Sequence, residues 1–230
     1  DFNAHRFWFS DSVDKYIVAT QRTKEDLLSK GITDEKIEVL GIPVDLAFLG
    51  ALERHRLSQK YFIREGIFTV LIATGTIGMG PLKDLVNILK DHIQILIACG
   101  KNKNLFNELK KKESSNLKVF GLVDNIQELM AVSDILITKP GGLTISEALV
   151  ARLPMIFLSL IPGQEDFNAR VLSGYKAGVV ANNLNKINNL ILSYKNSKEV
   201  LQEFKHAIES IRKPNALNDI VGLVKDYAKN

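Results

Sequence analysis

The chain has 230 residues, 46% hydrophobic and 24% charged, with a formal net charge of +4 that favours anionic partners. That balance excludes bulk disorder, and no apolar run approaches the roughly 20 residues of a membrane-spanning helix. The single cysteine, Cys99, excludes a disulfide scaffold and a cysteine-based zinc site, and suits a reducing compartment.

In chain order, the first strand falls at 15–20, a β-rich run. A helix follows at 23–30, with Thr23 as its candidate cap and Gly31 as its stop. A second short strand at 37–40 runs into Gly41-Ile42-Pro43, which reads as a linker. Residues 52–61 read as helical. The chain opens on Asp1 rather than Met, and residues 1–43 are too few for a core of their own. They read as the last elements of an incomplete N-terminal domain, with about 150 residues expected before them.

From residue 67 the rhythm is regular. Strands are predicted at 67–73, 93–98, 117–120, 134–138, 155–158 and 178–181. Most are continuous apolar runs, the signature of a parallel sheet buried on both faces. Helices are predicted between them at 82–90, 102–112, 125–132, 143–152 and 165–176, then at 184–194, 197–211 and 216–229. This order predicts an α/β, doubly wound, Rossmann-like domain over 44–213, followed by a C-terminal helix at 214–230.

Open α/β sheets bind ligands at the carboxyl ends of their strands, where the strand order reverses. In the usual order the strands at 67–73 and 134–138 are neighbours there. Both run into glycine-rich loops. The first is Thr74-Gly75-Thr76-Ile77-Gly78-Met79-Gly80-Pro81. Its glycines let the backbone approach a ligand, and free N–H groups at the following helix can hold a phosphate. It lacks the G-x-x-x-x-G-K-[ST] pattern of a P-loop. Its spacing is G-x-x-G-x-G, and the next strand ends in Ala98-Cys99-Gly100-Lys101 without an acid for a ribose, which argues against NAD.

The second loop is Lys139-Pro140-Gly141-Gly142-Leu143-Thr144, with Glu147 one turn further. Lys139 supplies a cation, Thr144 a hydroxyl, and Glu147 a carboxylate able to accept two hydrogen bonds from a ribose. Read singly, the first loop is open to being a plain glycine turn, and Thr144-x-x-Glu147 to being a capping box. Together, at neighbouring strand ends, they point to a shared diphosphate site. A third loop, 161–168, gathers Gln164, Glu165 and Asn168, able to read sugar hydroxyls or simply to start a helix.

These loops resemble the donor-binding half of glycosyltransferase family 28, most closely its diacylglycerol glycosyltransferases. TKPGGLTISEAL at 138–149 and PGQE at 162–165 carry most of the likeness. Asp1-Phe2, His5-Arg6-Phe7-Trp8 and Gly41-Ile42-Pro43-Val44 extend it upstream. The resemblance implies a GT-B fold, a UDP-glucose or UDP-galactose donor, and an inverting transfer to a lipid hydroxyl such as that of diacylglycerol. It implies that Gly75, Thr76, Ile77, Gly78, Met79 and Gly80 face the diphosphate. Leu122 and Val123 would border the uracil. Lys139, Gly141, Gly142, Leu143 and Thr144 would line the phosphate end, Glu147 would bind the ribose, and Gln164, Glu165 and Asn168 the donor sugar. The same likeness leaves room for the lipid II-forming N-acetylglucosaminyltransferase, a UDP-sugar epimerase, or a non-catalytic UDP-sugar-binding subunit.

One position departs from the family, which commonly has an arginine after Gly-Ile-Pro-Val. Here it is Asp45, which would repel a diphosphate unless turned away. No D-x-D pair stands at a strand end, so no cofactor or metal is expected. The general base is expected in the N-terminal domain. His5 alone lies near the acceptor side, while His55, His92 and His206 read as surface or packing residues. Lys101, Lys103, Lys110, Lys111 and Lys112 read as a solvated helix face and not a nucleic-acid site. Phe7, Trp8 and Phe9 form an aromatic run that can meet lipid, in keeping with a cytoplasmic protein held peripherally on an anionic membrane, or equally a surface that the rest of its own domain would cover.

Overall fold

The computed structural model describes residues 1–158 and 164–229, with the side chain of Gln164 left out. The chain begins with a small two-stranded parallel pair, β1 (Tyr16–Ile17) and β2 (Ile37–Glu38), joined through α1 (Gln21–Ser29). Helix α1 starts earlier than the sequence reading places it. Its cap is Thr20, whose side chain accepts from the Thr23 backbone N–H at 3.3 Å. Thr23 lies inside the helix, and its hydroxyl donates to the Phe2 carbonyl at 2.9 Å. Val18, Leu27 and Ile37 form a small buried cluster in this part.

The linker passes through a 3-10 turn (Leu46–Leu49) and α2 (Arg54–Tyr61) into the main domain. There strands and helices alternate: β3 (Thr69–Ala73), α3 (Leu82–Leu89), β4 (Gln94–Ala98), α4 (Lys103–Lys110), β5 (Leu117–Phe120), α5 (Ile126–Ala131) and β6 (Ile135–Thr138). Then follow α6 (Gly142–Val150), β7 (Met155–Leu158), α7 (Gln164–Gly174), β8 (Gly178–Ala181), α8 (Leu184–Asn196), α9 (Lys198–Ile211) and α10 (Ala216–Tyr227).

The sheet is wholly parallel, in the order β5-β4-β3-β6-β7-β8. The four inner strands are buried at every position, which explains their unbroken apolar runs. The edge strands β5 and β8 have one partner each and keep half-buried positions. Side chains alternate between the two faces. Val70 and Ile72 pack under α3, α4 and α8, and Leu71 and Ala73 under α5, α6 and α7. Each fully buried Val, Leu or Ile contributes about 1.5–3 kcal/mol to this core.

The N-terminal piece is tied to the second of these layers. Phe2 is 1% exposed and belongs to its core. The Arg22 backbone N–H donates to the Tyr175 hydroxyl just after α7 at 3.0 Å. Behind α9, Lys213 lies over Gly41, whose φ of +93° only glycine adopts readily. Among the described residues no helix is long and apolar enough to cross a membrane.

Candidate functional site

The chain leaves β3 toward β4 on one side and leaves β6 toward β7 on the other. The crevice between β3 and β6 is therefore the point where the strand order reverses, and both glycine loops open onto it. A Cβ built at Gly75 would stand 4.0 Å from Lys139 Cε, so the two loops meet.

The first loop is held by its own backbone. Gly75, Gly78 and Gly80 have φ of +83°, +63° and +114°. A Cβ at Gly78 would fall 2.3 Å from the Cys99 carbonyl oxygen, so that glycine serves close packing. The Lys101 N–H donates to the Thr76 carbonyl at 2.7 Å and fastens the loop to the turn after β4. Gly75, Thr76, Ile77, Met79 and Gly80 are exposed. At the loop's end Pro81 occupies the N-cap of α3 without a side-chain cap bond; the Leu82 N–H turns back to the Gly80 carbonyl at 2.9 Å, and the Lys83 and Asp84 N–H groups are left for a ligand.

The second loop ends in the same way. The N-cap of α6 is Gly141, again without a side-chain cap. Thr144 lies inside α6, so Thr144-x-x-Glu147 is not a capping box, and that plain reading falls away. Leu143 is exposed, and Thr144 is half-buried. Asp1 lies close over Gly142, where a Cβ would stand 2.4 Å from Asp1 Oδ1 and 3.2 Å from its Cα. Glu147 is half-buried one turn on, and its carboxylate makes no hydrogen bond or ion pair among the described residues. Burial, and then the carboxylate of Asp45, push its carboxyl up to about 7.

Asp45 itself is turned onto the backbone. It caps the 3-10 turn at 46–49, and its Oδ1 accepts from the Ala47 N–H at 2.7 Å. Lys139 and Glu165 are brought together across the ends of β6 and β7. The ammonium donates to Glu165 Oε1 at 2.8 Å, and Glu165 Oε2 is buried without a hydrogen-bond partner among the described residues. Leu122 is exposed and Val123 half-buried after β5, two strands from β3 and so about 10 Å to the side.

One expected sugar contact is corrected. Asn168 is 1% exposed and its amide is already spent. Its Oδ1 accepts from the Phe2 N–H at 3.1 Å, and its Nδ2 donates to Asp1 Oδ1 at 3.1 Å and to the Pro140 carbonyl at 2.9 Å. Asn168 clips the N-terminal segment to the second loop; both of its N–H donors are used, and its burial keeps the remaining lone pair of Oδ1 from a sugar. Pro162 and Gly163 of the third loop, and the Gln164 side chain, lie outside the described residues.

Sequence reading missed the Lys139–Glu165 pair, although opposite charges after adjacent parallel strands are a usable signal. It missed that the turn headed by Asp45 packs against α6, the helix that carries Glu147. It also missed that Asp1 packs on Gly142.

The arrangement is an open α/β site for an anion flanked by a carboxylate. The description "Glycosyltransferase family 28 C-terminal domain" matches residues 69–220, about two thirds of the chain. The chain belongs to that family. The description "Monogalactosyldiacylglycerol (MGDG) synthase" matches residues 1–44. Among its relatives, the processive diacylglycerol beta-glucosyltransferase of Bacillus subtilis is 34% identical over 222 residues, covering 94% of this chain and 58% of that protein. Its counterpart in Bacillus licheniformis is 32% identical over 231 residues, covering 96% and 60%. The chain thus spans about three fifths of the length of these relatives.

Solved structures share the fold at low identity. A glycosyltransferase from Rickettsia africae matches at 19% identity and a TM-score of 0.61, over 100% of this chain and 69% of that one. MnaA from S. aureus, solved with UDP, matches at 18% and 0.67, over 94% and 61%. The fold is that of the C-terminal, Rossmann-like half of GT-B proteins.

Proposed function

We propose that this chain is the donor-binding half of a lipid hexosyltransferase that moves a hexose from a UDP-sugar to diacylglycerol with inversion. The observation that carries the reading is the meeting of two uncapped helix starts at one reversal of strand order, with Glu147 a turn away. The names of the Bacillus relatives support glucose as the sugar and diacylglycerol as the acceptor.

In this reading the diphosphate lies between residues 75–80 and the start of α6. The ribose meets Glu147, and the uracil lies toward Leu122 and Val123. The sugar lies toward Glu165 and Gln164. Lys139 has three donors, so it keeps Glu165 and still reaches a phosphate oxygen. UDP must leave with added negative charge. N–H groups at the starts of α3 and α6 are fixed in place and favour that charge without a metal. The acceptor hydroxyl attacks the face of the sugar opposite the departing UDP, which inverts the anomeric centre. Its proton goes to a general base outside these loops.

The acceptor implies a membrane surface. Phe7 and Trp8 are 93% and 73% exposed on one short turn, beside Arg6. They support peripheral attachment to an anionic membrane on the cytoplasmic side.

Titration calorimetry of this chain with UDP and UDP-glucose tests the donor role, and binding is expected below millimolar ligand. No heat of binding at millimolar ligand overturns the reading. Transfer from UDP-glucose against UDP-galactose to diacylglycerol, assayed on a full-length protein with the lipid products resolved, tests the reaction.

A further inference from the structure

Phe62 is held outward by the chain on either side of it. It ends α2 in the left-handed region, with φ of 54°, and its N–H donates to the Gln59 carbonyl at 3.2 Å. The next residue, Ile63, is buried in the core, and its N–H donates to the Ser58 carbonyl at 2.8 Å. The Arg64 N–H then donates to Gln94 Oε1 at 2.9 Å. Between these fixed points the ring stands 80% exposed. A left-handed phenylalanine strains the backbone, and an exposed ring buries little to offset it, so the fold alone gives no reason to keep one there.

Cations surround the ring. Lys118, on the edge strand β5, has its ammonium 6.0 Å from the ring centroid. The Arg64 guanidinium donates to Asn116, a neutral amide just before β5. Lys111 and Lys112 are exposed on the turn that leads to Asn116. Residues 54–65 and 110–118 together hold eight lysines and arginines but only two acids, Glu65 and Glu113. That surplus exceeds the net charge of +4 of the whole chain. The acids nearby are engaged: Glu65 with His55, Glu113 with Lys110, Glu128 with Lys60 and Asp134 with Arg54. Arg64, Lys111, Lys112 and Lys118 have no ion pair among the described residues. A lysine on an edge strand also guards against sheet-to-sheet pairing, which accounts for Lys118 but not for the exposed ring beside it.

We propose that this corner is a membrane-contact site, separate from the turn at Phe7 and Trp8. Phe62 enters the head-group region of an anionic bilayer, and Arg64, Lys111, Lys112 and Lys118 hold its phosphodiesters. An apolar anchor ringed by unpaired cations complements such a surface. Stacking on a nucleic-acid strand uses rings set along a basic groove, whereas this ring projects alone. The inference rests on the lipid acceptor proposed above and deepens it by assigning a second surface that meets the bilayer.

The experiment places a reporter at the ring. Trp8 is the one tryptophan, so Trp8→Phe combined with Phe62→Trp leaves a single emitter at the proposed contact. Vesicles of phosphatidylglycerol and phosphatidylcholine should shift its emission to the blue, and lipids brominated in their acyl chains should quench it. Vesicles of phosphatidylcholine alone should do neither, and added salt should reverse the effect. In co-sedimentation with the anionic vesicles, Phe62→Gly should bind about tenfold more weakly. Lys118→Gln and Arg64→Gln should each bind about fivefold more weakly. UDP affinity should stay unchanged in all three, since none of these residues lies in the donor loops, which also shows that the variants are folded.

Co-sedimentation with no shift or quenching at position 62 overturns the site and leaves the membrane to Phe7 and Trp8. A shift produced by polyuridylate and not by vesicles overturns it in favour of nucleic acid. Failure to bind any vesicle, with UDP still bound, overturns this inference and the membrane part of the reading while the donor site stands.

Discussion

Lys139 Nζ and Glu165 Oε1 lie 2.8 Å apart and join the loops that follow β6 and β7. Both side chains are about one-quarter exposed, so water screens the pair only in part. The pair holds a cation at the crevice while a nucleotide is absent. Lys139→Ala leaves Glu165 unpaired and, in the proposed reading, removes a charge-assisted contact to phosphate. UDP should bind more weakly by about 1.5–3 kcal/mol, roughly tenfold or more, and stability should fall by about 1–2 kcal/mol. Glu165→Gln frees the cation. It should leave UDP affinity within about threefold while weakening UDP-glucose relative to UDP, if that carboxylate reads the sugar. Calorimetry with both ligands separates these outcomes.

Asn168 is a clip rather than a ligand group. Asn168→Ala strands the buried Phe2 N–H and the Pro140 carbonyl, at about 2–4 kcal/mol for the two together. Urea denaturation should show that loss. Hydrogen exchange should rise in residues 1–43 and at 139–142 before it rises in the inner strands. Loss of sugar-donor affinity at unchanged stability would restore Asn168 to the sugar site.

The two kinds of glycine in the first loop predict different failures. Gly78→Ala drives a Cβ to 2.3 Å from a backbone carbonyl at a φ of +63°, and should cost more than about 3 kcal/mol of stability. Gly75→Ala meets nothing nearer than Lys139 Cε at 4.0 Å. It should cost only about 1–2 kcal/mol through its φ of +83°, yet weaken UDP several-fold, because in the proposed reading the new methyl stands where the phosphates approach. Unchanged UDP affinity in Gly75→Ala would show that the loop does not face the diphosphate.

The sheet was legible because burial on both faces writes itself into sequence. Thr69–Ala73 and Met155–Leu158 carry no polar interruption to blur their limits beyond a residue or two. The strand expected at 15–20 shrank to Tyr16–Ile17, because its one partner, β2, is itself two residues long. The glycine loops were legible as turns into helices. Their distinct duties were not, since the contact of Gly78 with Cys99 depends on how the β4 turn folds back. Asn168 was misjudged for the same reason: its type suits a sugar, and only its burial against Phe2 and Pro140 shows that it is spent. Asp45 read as a threat to a phosphate. In the structure it caps the 3-10 turn at 46–49 through the Ala47 N–H, and its charge acts on Glu147, about a hundred residues away in the chain.

Phe62 ends α2 in the left-handed region, with φ of 54° and ψ of 44°, at 80% exposure. A non-glycine residue there costs about 1–2 kcal/mol, and the ring is covered only by the Lys118 ammonium at 6.0 Å. Phe62→Gly should raise stability by about 0.5–1 kcal/mol after the added freedom of the unfolded chain is counted. A higher urea midpoint with unchanged slope is the expected result, and a lower midpoint would mean that the ring packs better than its exposure indicates.

Glu147 carries a stability signature that is independent of any ligand. Its folded carboxyl is pushed up to about 7, above the value of about 4.3 expected in an unfolded chain. Between those two values the folded state holds a proton that the unfolded state has lost. Stability from this group is therefore fullest below about pH 4, falls as pH rises through that window, and is lost above about pH 7. Glu147→Gln cannot ionise. It should match the unchanged chain near pH 4 and exceed it at pH 8 by about 1–2 kcal/mol, allowing for solvent screening of a half-buried group. Urea denaturation at the two pH values measures the difference. A gain of the same size at both would assign the effect to packing. A gain confined to pH 8 assigns it to the charge, and marks Glu147 as a carboxylate kept at a cost to the fold, as expected of a group held for a ligand.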